Sequence, residues 1–197
     1  MDKNDLRKAS LAKRDALTKE EIEEKSRQIF EKLVELEQYR DAENILVYAS
    51  MRSEVMTDDI ILDALANGKN VFCPKVTDKS AGIMEFVRIM SLEDLKEGYF
   101  GIREPELEDD SETAQDMDSG MDTLEADKTL VIMPGAAFDC EKTRIGYGGG
   151  FYDRYLKDNP EYMTIALAFE CQISQELIPA DEFDVKPKAL LTEIELR

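Results

Sequence analysis

Histidine is missing altogether from this 197-residue chain, which excludes Ser-His-Asp and Cys-His triads and any histidine-ligated metal. Whatever chemistry the chain performs falls to carboxylates, lysine, arginine, tyrosine, hydroxyls and backbone groups. Cysteine is scarce as well. Cys73, Cys140 and Cys171 are odd in number, far apart and without metal-ligand spacing, so neither a disulfide framework nor a zinc site is expected. They fit better as small buried or half-buried apolar residues. No apolar run approaches the length needed to cross a bilayer. The opening Met1-Asp2-Lys3-Asn4-Asp5 lacks the basic-then-apolar layout of a secretory signal, so the cytoplasm is the expected compartment. Positive charge is the last scarcity. Twenty-five Lys and Arg face 44 Asp and Glu, a formal net charge of −19, which argues against a nucleic-acid or anionic-membrane partner.

The acids are unevenly placed. Glu106 to Lys128 holds ten of them against one base, has no aromatics and no clear period, and is expected to be a solvated or mobile loop. Elsewhere the apolar periods are clear. Residues 4–17 and 19–38 predict an N-terminal helical pair. In the second helix Ile22, Ile29, Phe30, Leu33, Val34 and Leu36 form an apolar stripe, and Thr18 with Glu21 makes a capping-box start. In the first helix Lys3, Arg7, Ser10 and Arg14 fall at i, i+4, i+7 and i+11, one polar and basic stripe. That stripe is either a solvated face or a place where cations hold phosphates.

Residues 45–49 and 71–76 predict strands, with a helix between them capped by Thr57 and stopped by Asn67-Gly68. Strand, helix, strand within about thirty residues is the footprint of a βαβ unit. An edge strand over 84–89, buried-type strands over 130–133, 164–169 and 189–194, and a helix starting at Phe151 complete the pattern. The expected fold is a single α/β domain spanning 1–197, a mostly parallel central sheet with helices on both faces.

The strongest chemical motif is Arg144-Ile145-Gly146-Tyr147-Gly148-Gly149-Gly150-Phe151-Tyr152-Asp153, entered from the strand at 130–133 through Pro134-Gly-Ala-Ala-Phe-Asp139. Four glycines within five residues let backbone N–H groups converge on an anion, and the helix that follows adds its partial positive charge. Arg144 is placed to reach a terminal phosphate, and Asp153 to hold a divalent cation that bridges phosphate oxygens. The P-loop pattern is absent, and the glycines come too late for a dinucleotide fingerprint. A plain flexible turn remains the competing reading. The segment Tyr48 to Thr57 follows the first strand, where ligands of open α/β sheets bind, which makes Glu54 a candidate substrate contact; a surface acid is the alternative. Nothing in the composition of the loop from Ile178 to Lys186 marks Asp184 as a ligand.

On these motifs the sequence resembles the 5-formyltetrahydrofolate cyclo-ligase family. The similarity runs in order through Lys3-x-x-x-Arg7, Tyr48–Thr57, Phe72-Cys-Pro74, Gly101-Ile-Arg-Glu-Pro105, the glycine loop, Ala166–Phe169, Ile178-Pro179, Asp184 and Thr192-Glu193. The resemblance implies a magnesium-dependent conversion of 5-formyltetrahydrofolate and ATP to 5,10-methenyltetrahydrofolate, ADP and phosphate. It further implies that Lys3 and Arg7 contact ATP phosphates, and that Arg144, Ile145, Gly146, Tyr147, Gly148, Gly149, Gly150, Phe151 and Tyr152 form the nucleotide loop. Gly148, Gly149, Gly150 and Tyr152 would also meet the folate, with Ala49 and Glu54. Arg144 and Tyr152 would be catalytic, and Asp153 and Asp184 would hold Mg2+. Two features depart from the family pattern: the acidic stretch is longer, and Phe183 stands where many bacterial relatives carry histidine. A monomer or a homodimer is compatible with all of this. A different ATP-dependent phosphotransferase, or a non-catalytic nucleotide- or folate-binding module, are the alternative functions.

Overall fold

The computed structural model of the chain describes residues 2–98, 101–106 and 124–197. Asp2 caps helix α1 (Lys3–Asp15) by accepting from the Asp5 N–H. Thr18 and Glu21 exchange the reciprocal bonds of a capping box at the start of α2 (Lys19–Glu35). The second helix ends earlier than its apolar period suggests. Leu36 turns to an extended conformation, and a short α3 (Glu37–Asp41) carries the buried Tyr39, whose hydroxyl donates to Asp63 at 2.7 Å. Thr57 precedes α4 (Asp58–Ala66) without capping it. Its hydroxyl instead donates to the Tyr48 carbonyl at 2.7 Å and accepts from the Ser50 N–H at 3.0 Å, closing the 48–57 loop on itself.

The central sheet has six strands. β1 (Asn44–Val47) lies in the middle, paired in parallel with β2 (Asn70–Asp78) on one side and, on the other, with the strand Thr129–Met133. β3 (Ile83–Ile89) is the antiparallel edge next to β2. Two very short hairpin pairs escaped the sequence patterns. β4 (Leu95–Glu97) pairs with β5 (Arg103–Pro105), and β7 (Ala137–Phe138) with β8 (Arg144–Ile145). With Thr129–Met133 as β6, the sheet continues through β9 (Met163–Leu167) to β10 (Ala189–Leu191), all parallel. The order is β10-β9-β6-β1-β2-β3. Among the described residues no helix is long and apolar enough to cross a membrane.

Alternation along these strands divides the core in two. Ile45 and Val47, Leu130 and Ile132, Ile165 and Leu167 face a cluster with α2, α3 and α4. Leu46, Val131, Met133 and Ala166 face a second cluster with α5 (Phe151–Asp158), through Tyr152, Tyr155 and Leu156. Helices therefore cover both faces, as expected for parallel strands without a solvated side.

Of the acidic stretch, residues 107–123 lie outside the described residues. Its carboxyl end is not a solvated loop. Leu124 is buried in the second cluster, and Ala126–Lys128 forms a 3-10 turn that leads directly into β6. The cysteines differ from one another as well: Cys73 is buried and Cys171 half-buried, whereas Cys140 is exposed in a turn.

Phe72 is fully buried in the second cluster, opposite the face its neighbour Val71 fills. Phe72→Ala should lower the unfolding free energy by about 3–5 kcal/mol in denaturant titration. Met90→Ala, at a side chain 71% exposed, should change it by no more than about 0.5 kcal/mol.

Candidate active site

Strand order reverses between β1 and β6. From β1 the chain winds outward through β2 to β3; from β6 it winds the other way through β9 to β10. Ligands of open α/β sheets bind at such a switch point, beyond the carboxyl ends of the strands. The end of β1 feeds the 48–57 loop and the end of β6 feeds Pro134 and the glycine loop. Between them lies a cavity of about 530 Å³. β2 walls it because its last residues run past β1 and pair with β3 alone.

Asp139 rigidifies the approach to the glycine loop. Fully buried, it accepts from the N–H groups of Glu141 (2.9 Å), Thr143 (2.8 Å) and Ile178 (2.8 Å). Arg144 follows directly. Gly148 and Gly150 take φ of 106° and 66°, a region where a side chain is strained. Gly150 then becomes the N-cap of α5. Arg154, one turn into α5, donates back to the Gly149 carbonyl at 2.6 Å, so the loop is held from the helix that follows it.

Arg144, Gly146, Tyr147, Gly149, Gly150, Phe151, Tyr152 and Asp153 line the cavity on one side, and Ala49 and Glu54 on the other. Gly148 is not among the lining residues, and Ile145 sends its side chain into a small cluster with Ala137, Ile178 and Leu6. Arg144 donates to Asp153 Oδ1 at 2.8 Å and sits 5.8 Å from the Tyr152 ring centroid. Its Nε and the Tyr152 hydroxyl are both buried, with no hydrogen-bond partner among the described residues. Each such group costs about 1–3 kcal/mol, and two of them in neighbouring side chains favour a ligand that supplies acceptors. Burial pushes the Tyr152 phenol far above its ordinary range, so it acts as a neutral hydroxyl.

Glu54 is 5% exposed. Its Oε2 accepts from the Met51 N–H at 3.0 Å, and its Oε1 accepts from the Tyr147 hydroxyl. That hydroxyl in turn accepts from Arg14 Nη1 at 2.6 Å. Burial raises the Glu54 carboxyl above its ordinary range, while Tyr147, the Met51 N–H, Arg14 and Arg52 pull it back down. Burial likewise raises the Tyr147 phenol. Tyr147 as a residue is 41% exposed, while its hydroxyl reaches inward to these partners.

The basic stripe of α1 meets this site along its whole length. Lys3 pairs with Asp181 at 2.6 Å and with Asp184; Arg7 Nε donates to the Gly146 carbonyl at 2.8 Å; Ser10 donates to the Ala136 carbonyl at 2.7 Å. Lys3, Arg7 and Asp184 do not line the cavity itself. Asp184 stands beside Asp153, since the next residue, Val185, gives its N–H to Asp153 Oδ1 at 3.1 Å. Burial pushes the Asp184 carboxyl up, but the Asp181 N–H and Lys3 hold it below its usual value.

Among the described residues no three His, Cys, Asp or Glu side chains cluster as a closed metal site. The pair Asp153 and Asp184 suits a hard cation that takes one or two carboxylates and completes its shell with water and phosphate oxygens. Each carboxylate commits one oxygen, Asp153 Oδ1 to Arg144 and Val185, Asp184 Oδ2 to Lys3 and Asp181. The other oxygen of each has no hydrogen bond among the described residues.

Arg14, 3% exposed, was marked in the sequence only as part of the basic stripe that could hold phosphates; the structure instead turns it to Tyr147 and Ser53. Two further contributors were not singled out from the sequence as site residues. Asp139 gave no signal beyond its place after the strand. Gln172, buried, donates to the Gly135 and Ala136 carbonyls at 2.8 and 3.1 Å and so fixes the turn after β6. A lone glutamine at the end of a short 3-10 turn carries no pattern.

Residues 1–193 match the model of the 5-formyltetrahydrofolate cyclo-ligase family. The chain is 34% identical to 5-formyltetrahydrofolate cyclo-ligase of Mus musculus over 186 residues, covering 90% of this chain and 87% of that one. Against the enzyme of the same name from Escherichia coli K12 it is 30% identical, covering 91% and 94%. The solution structure of Aquifex aeolicus 5,10-methenyltetrahydrofolate synthetase superposes with a TM-score of 0.80 at 29% identity, over all of this chain and 92% of that one. The 5,10-methenyltetrahydrofolate synthetase of Mycoplasma pneumoniae gives 0.72 at 25% identity, over 98% and 99%.

The buried Glu54 gives stability a pH signature. Its folded-state pKa lies above the ordinary value of 4.5, so the folded state holds the proton more tightly, and stability falls as pH rises from that value through the higher folded one. Glu54→Gln removes the titration. The variant should therefore gain stability relative to the wild type in thermal unfolding as pH rises above 4.5. An unchanged or opposite difference would show that Glu54 is not held with a raised pKa.

Proposed function

The chain belongs to the 5-formyltetrahydrofolate cyclo-ligase family, and from that premise we propose that it closes 5-formyltetrahydrofolate to 5,10-methenyltetrahydrofolate at the expense of ATP, with Mg2+ as cofactor. The observation that carries this reading is that one cavity is shared by the glycine loop with Arg144 and Tyr152 and by the opposite loop with Glu54. A nucleotide and a second substrate can then meet there.

The formyl oxygen is a poor leaving group. In the proposed reaction it attacks the γ-phosphorus of ATP, the bond to the bridging oxygen breaks, and ADP departs. N10 of the folate then attacks the activated formyl carbon and releases its proton, and the oxygen leaves with inorganic phosphate. Phosphoryl transfer depends on positioning and charge neutralisation more than on a protein nucleophile, so a site without histidine is sufficient.

The glycine loop would present backbone N–H groups to the phosphates, aided by the start of α5. Arg144, already buried at the cavity wall, would stabilise the transferring charge through Nε, which has no partner among the described residues. Tyr152, a neutral phenol, would donate to the same oxygens or to the folate. Glu54 would accept hydrogen bonds from polar N–H groups of the pterin, with Ala49 beside it giving close approach. Asp153 and Asp184 would hold Mg2+, which when bound neutralises phosphate charge. Lys3 and Arg7 sit at the edge of that pair and of Gly146, within the region where a nucleotide's phosphates would lie.

The test is the near-ultraviolet absorbance of methenyltetrahydrofolate after mixing the protein with Mg-ATP and 5-formyltetrahydrofolate. ATP consumption without that signal would show a phosphotransferase with another acceptor. Binding of both ligands with neither reaction would show a binding module. Arg144→Ala should reduce kcat on the order of 10²–10³-fold and alter the calorimetric Kd for the folate substrate far less. Equal kcat in the variant would refute the role given to Arg144.

A further inference from the structure

Arg14 is a buried cation on the helix that holds the glycine loop, yet its partners lead to the opposite wall of the cavity. Nη1 donates to the Tyr147 hydroxyl at 2.6 Å and Nε to Ser53 Oγ at 3.1 Å; Ser53 donates onward to Asp15. The guanidinium also lies 5.7 Å from the centroid of the Tyr147 ring. Arginine can only donate, so the Tyr147 oxygen must accept from it, and the phenolic proton is left for Glu54. The proton's position is thus dictated by chemistry. Three segments distant in sequence, α1, the glycine loop and the 48–57 loop, are joined by one chain of hydrogen bonds.

We propose that Arg14 is a positioning residue for the folate end of the site, acting through Tyr147 to orient the Glu54 carboxylate and to keep it an acceptor. The inference rests on the function proposed above, since it is the pterin's N–H donors that Glu54 would receive. With Oε1 turned to Tyr147 and Oε2 to the Met51 N–H, the carboxylate cannot rotate, and its remaining lone pairs are fixed in direction. Such a chain in a low-dielectric site is worth more than its separate bonds in water.

The strongest charged and titratable groups acting on Glu54 come from several elements: Arg14 from α1, Arg52 from its own loop, Tyr147 from the glycine loop, Tyr48 from the end of β1 and Tyr152 from α5. Lys79, Glu104 and Arg144 line the same cavity. Of the two arginines that act most strongly on Glu54, Arg52 is exposed, whereas Arg14 is shielded from screening. Loss of Arg14 therefore moves the Glu54 titration upward, and the acid limb of kcat/KM with it.

A double-mutant cycle separates positioning from mere structural support. Arg14→Met, Glu54→Gln and the double variant are compared for their calorimetric Kd and their KM toward the folate substrate, and the pH profile of kcat/KM is recorded for Arg14→Met. Each single change should raise both constants roughly tenfold, the effect of one charge-assisted hydrogen bond. In the Glu54→Gln background the added effect of Arg14→Met should shrink below about twofold, and the acid limb of the Arg14→Met profile should lie at higher pH than in the wild type. Additive effects, or an unmoved acid limb, would overturn the proposal. If Arg14→Met does not fold, Tyr147→Phe breaks the same chain by one oxygen at a residue 41% exposed, and the same cycle with Glu54→Gln decides. Failure of the wild type to bind 5-formyltetrahydrofolate would overturn the function reading and this inference together. Binding with an additive cycle would overturn only the inference.

Discussion

The site depends on one helix face. Lys3, Arg7, Ser10 and Arg14 lie along a single stripe of α1; Arg7, Ser10 and Arg14 direct their polar groups to the glycine loop and to the turn after β6, which border the cavity, and Lys3 directs its own to Asp181 and Asp184 beside them. In a chain of net charge −19, loops rich in backbone carbonyls and carboxylates need cations close by, and this stripe supplies them. Arg7 and Ser10 donate to carbonyls of the glycine loop and of the turn after β6. α1 is therefore less a covering helix than a clamp: it sets where the glycine loop stands relative to the ends of β1 and β6.

The sheet does the complementary work. Because β1 and β6 are neighbours from which the chain winds in opposite directions, their following loops part and leave a cleft. The glycine loop would be a floppy turn in isolation. Here it is tied at its entry by Asp139, along its length by Arg7, and at its exit by Arg154. The two positive-φ glycines can then be held open without a side chain filling the space. The cost of this arrangement is visible in two buried groups without a partner among the described residues, Arg144 Nε and the Tyr152 hydroxyl, which is where binding energy would be recovered.

Much of the fold was legible because burial leaves a periodic trace. The strands over 45–47, 130–133 and 164–167 are short apolar runs buried on both faces, and the Thr18–Glu21 box announced α2. The hairpins β4–β5 and β7–β8 were not legible, since two or three residues are too few to show a period. Thr57 looked like a cap because a hydroxyl before an apolar helix usually is one; its hydroxyl had a competing acceptor, the Tyr48 carbonyl. Of the site, the glycine loop was marked by its composition and Glu54 by its place after a strand. The basic stripe was ambiguous for a physical reason. A polar face that packs on backbone carbonyls has the same spacing as one that faces water, and the partners of Lys3, Arg7 and Ser10 are more than 100 residues away in sequence. The link from Arg14 through Tyr147 to Glu54 joins three separate segments and leaves no local spacing to read.

The clamp is tested most directly by amide hydrogen exchange of residues 144–150 in the wild type and in an Arg7→Met, Ser10→Ala variant. Loss of the two contacts should speed exchange across the glycine loop, from Gly146 onward, while the amides of β1 and β6 keep their protection. Equal protection of the loop in both proteins would contradict the account, because the loop would then be held without the helix.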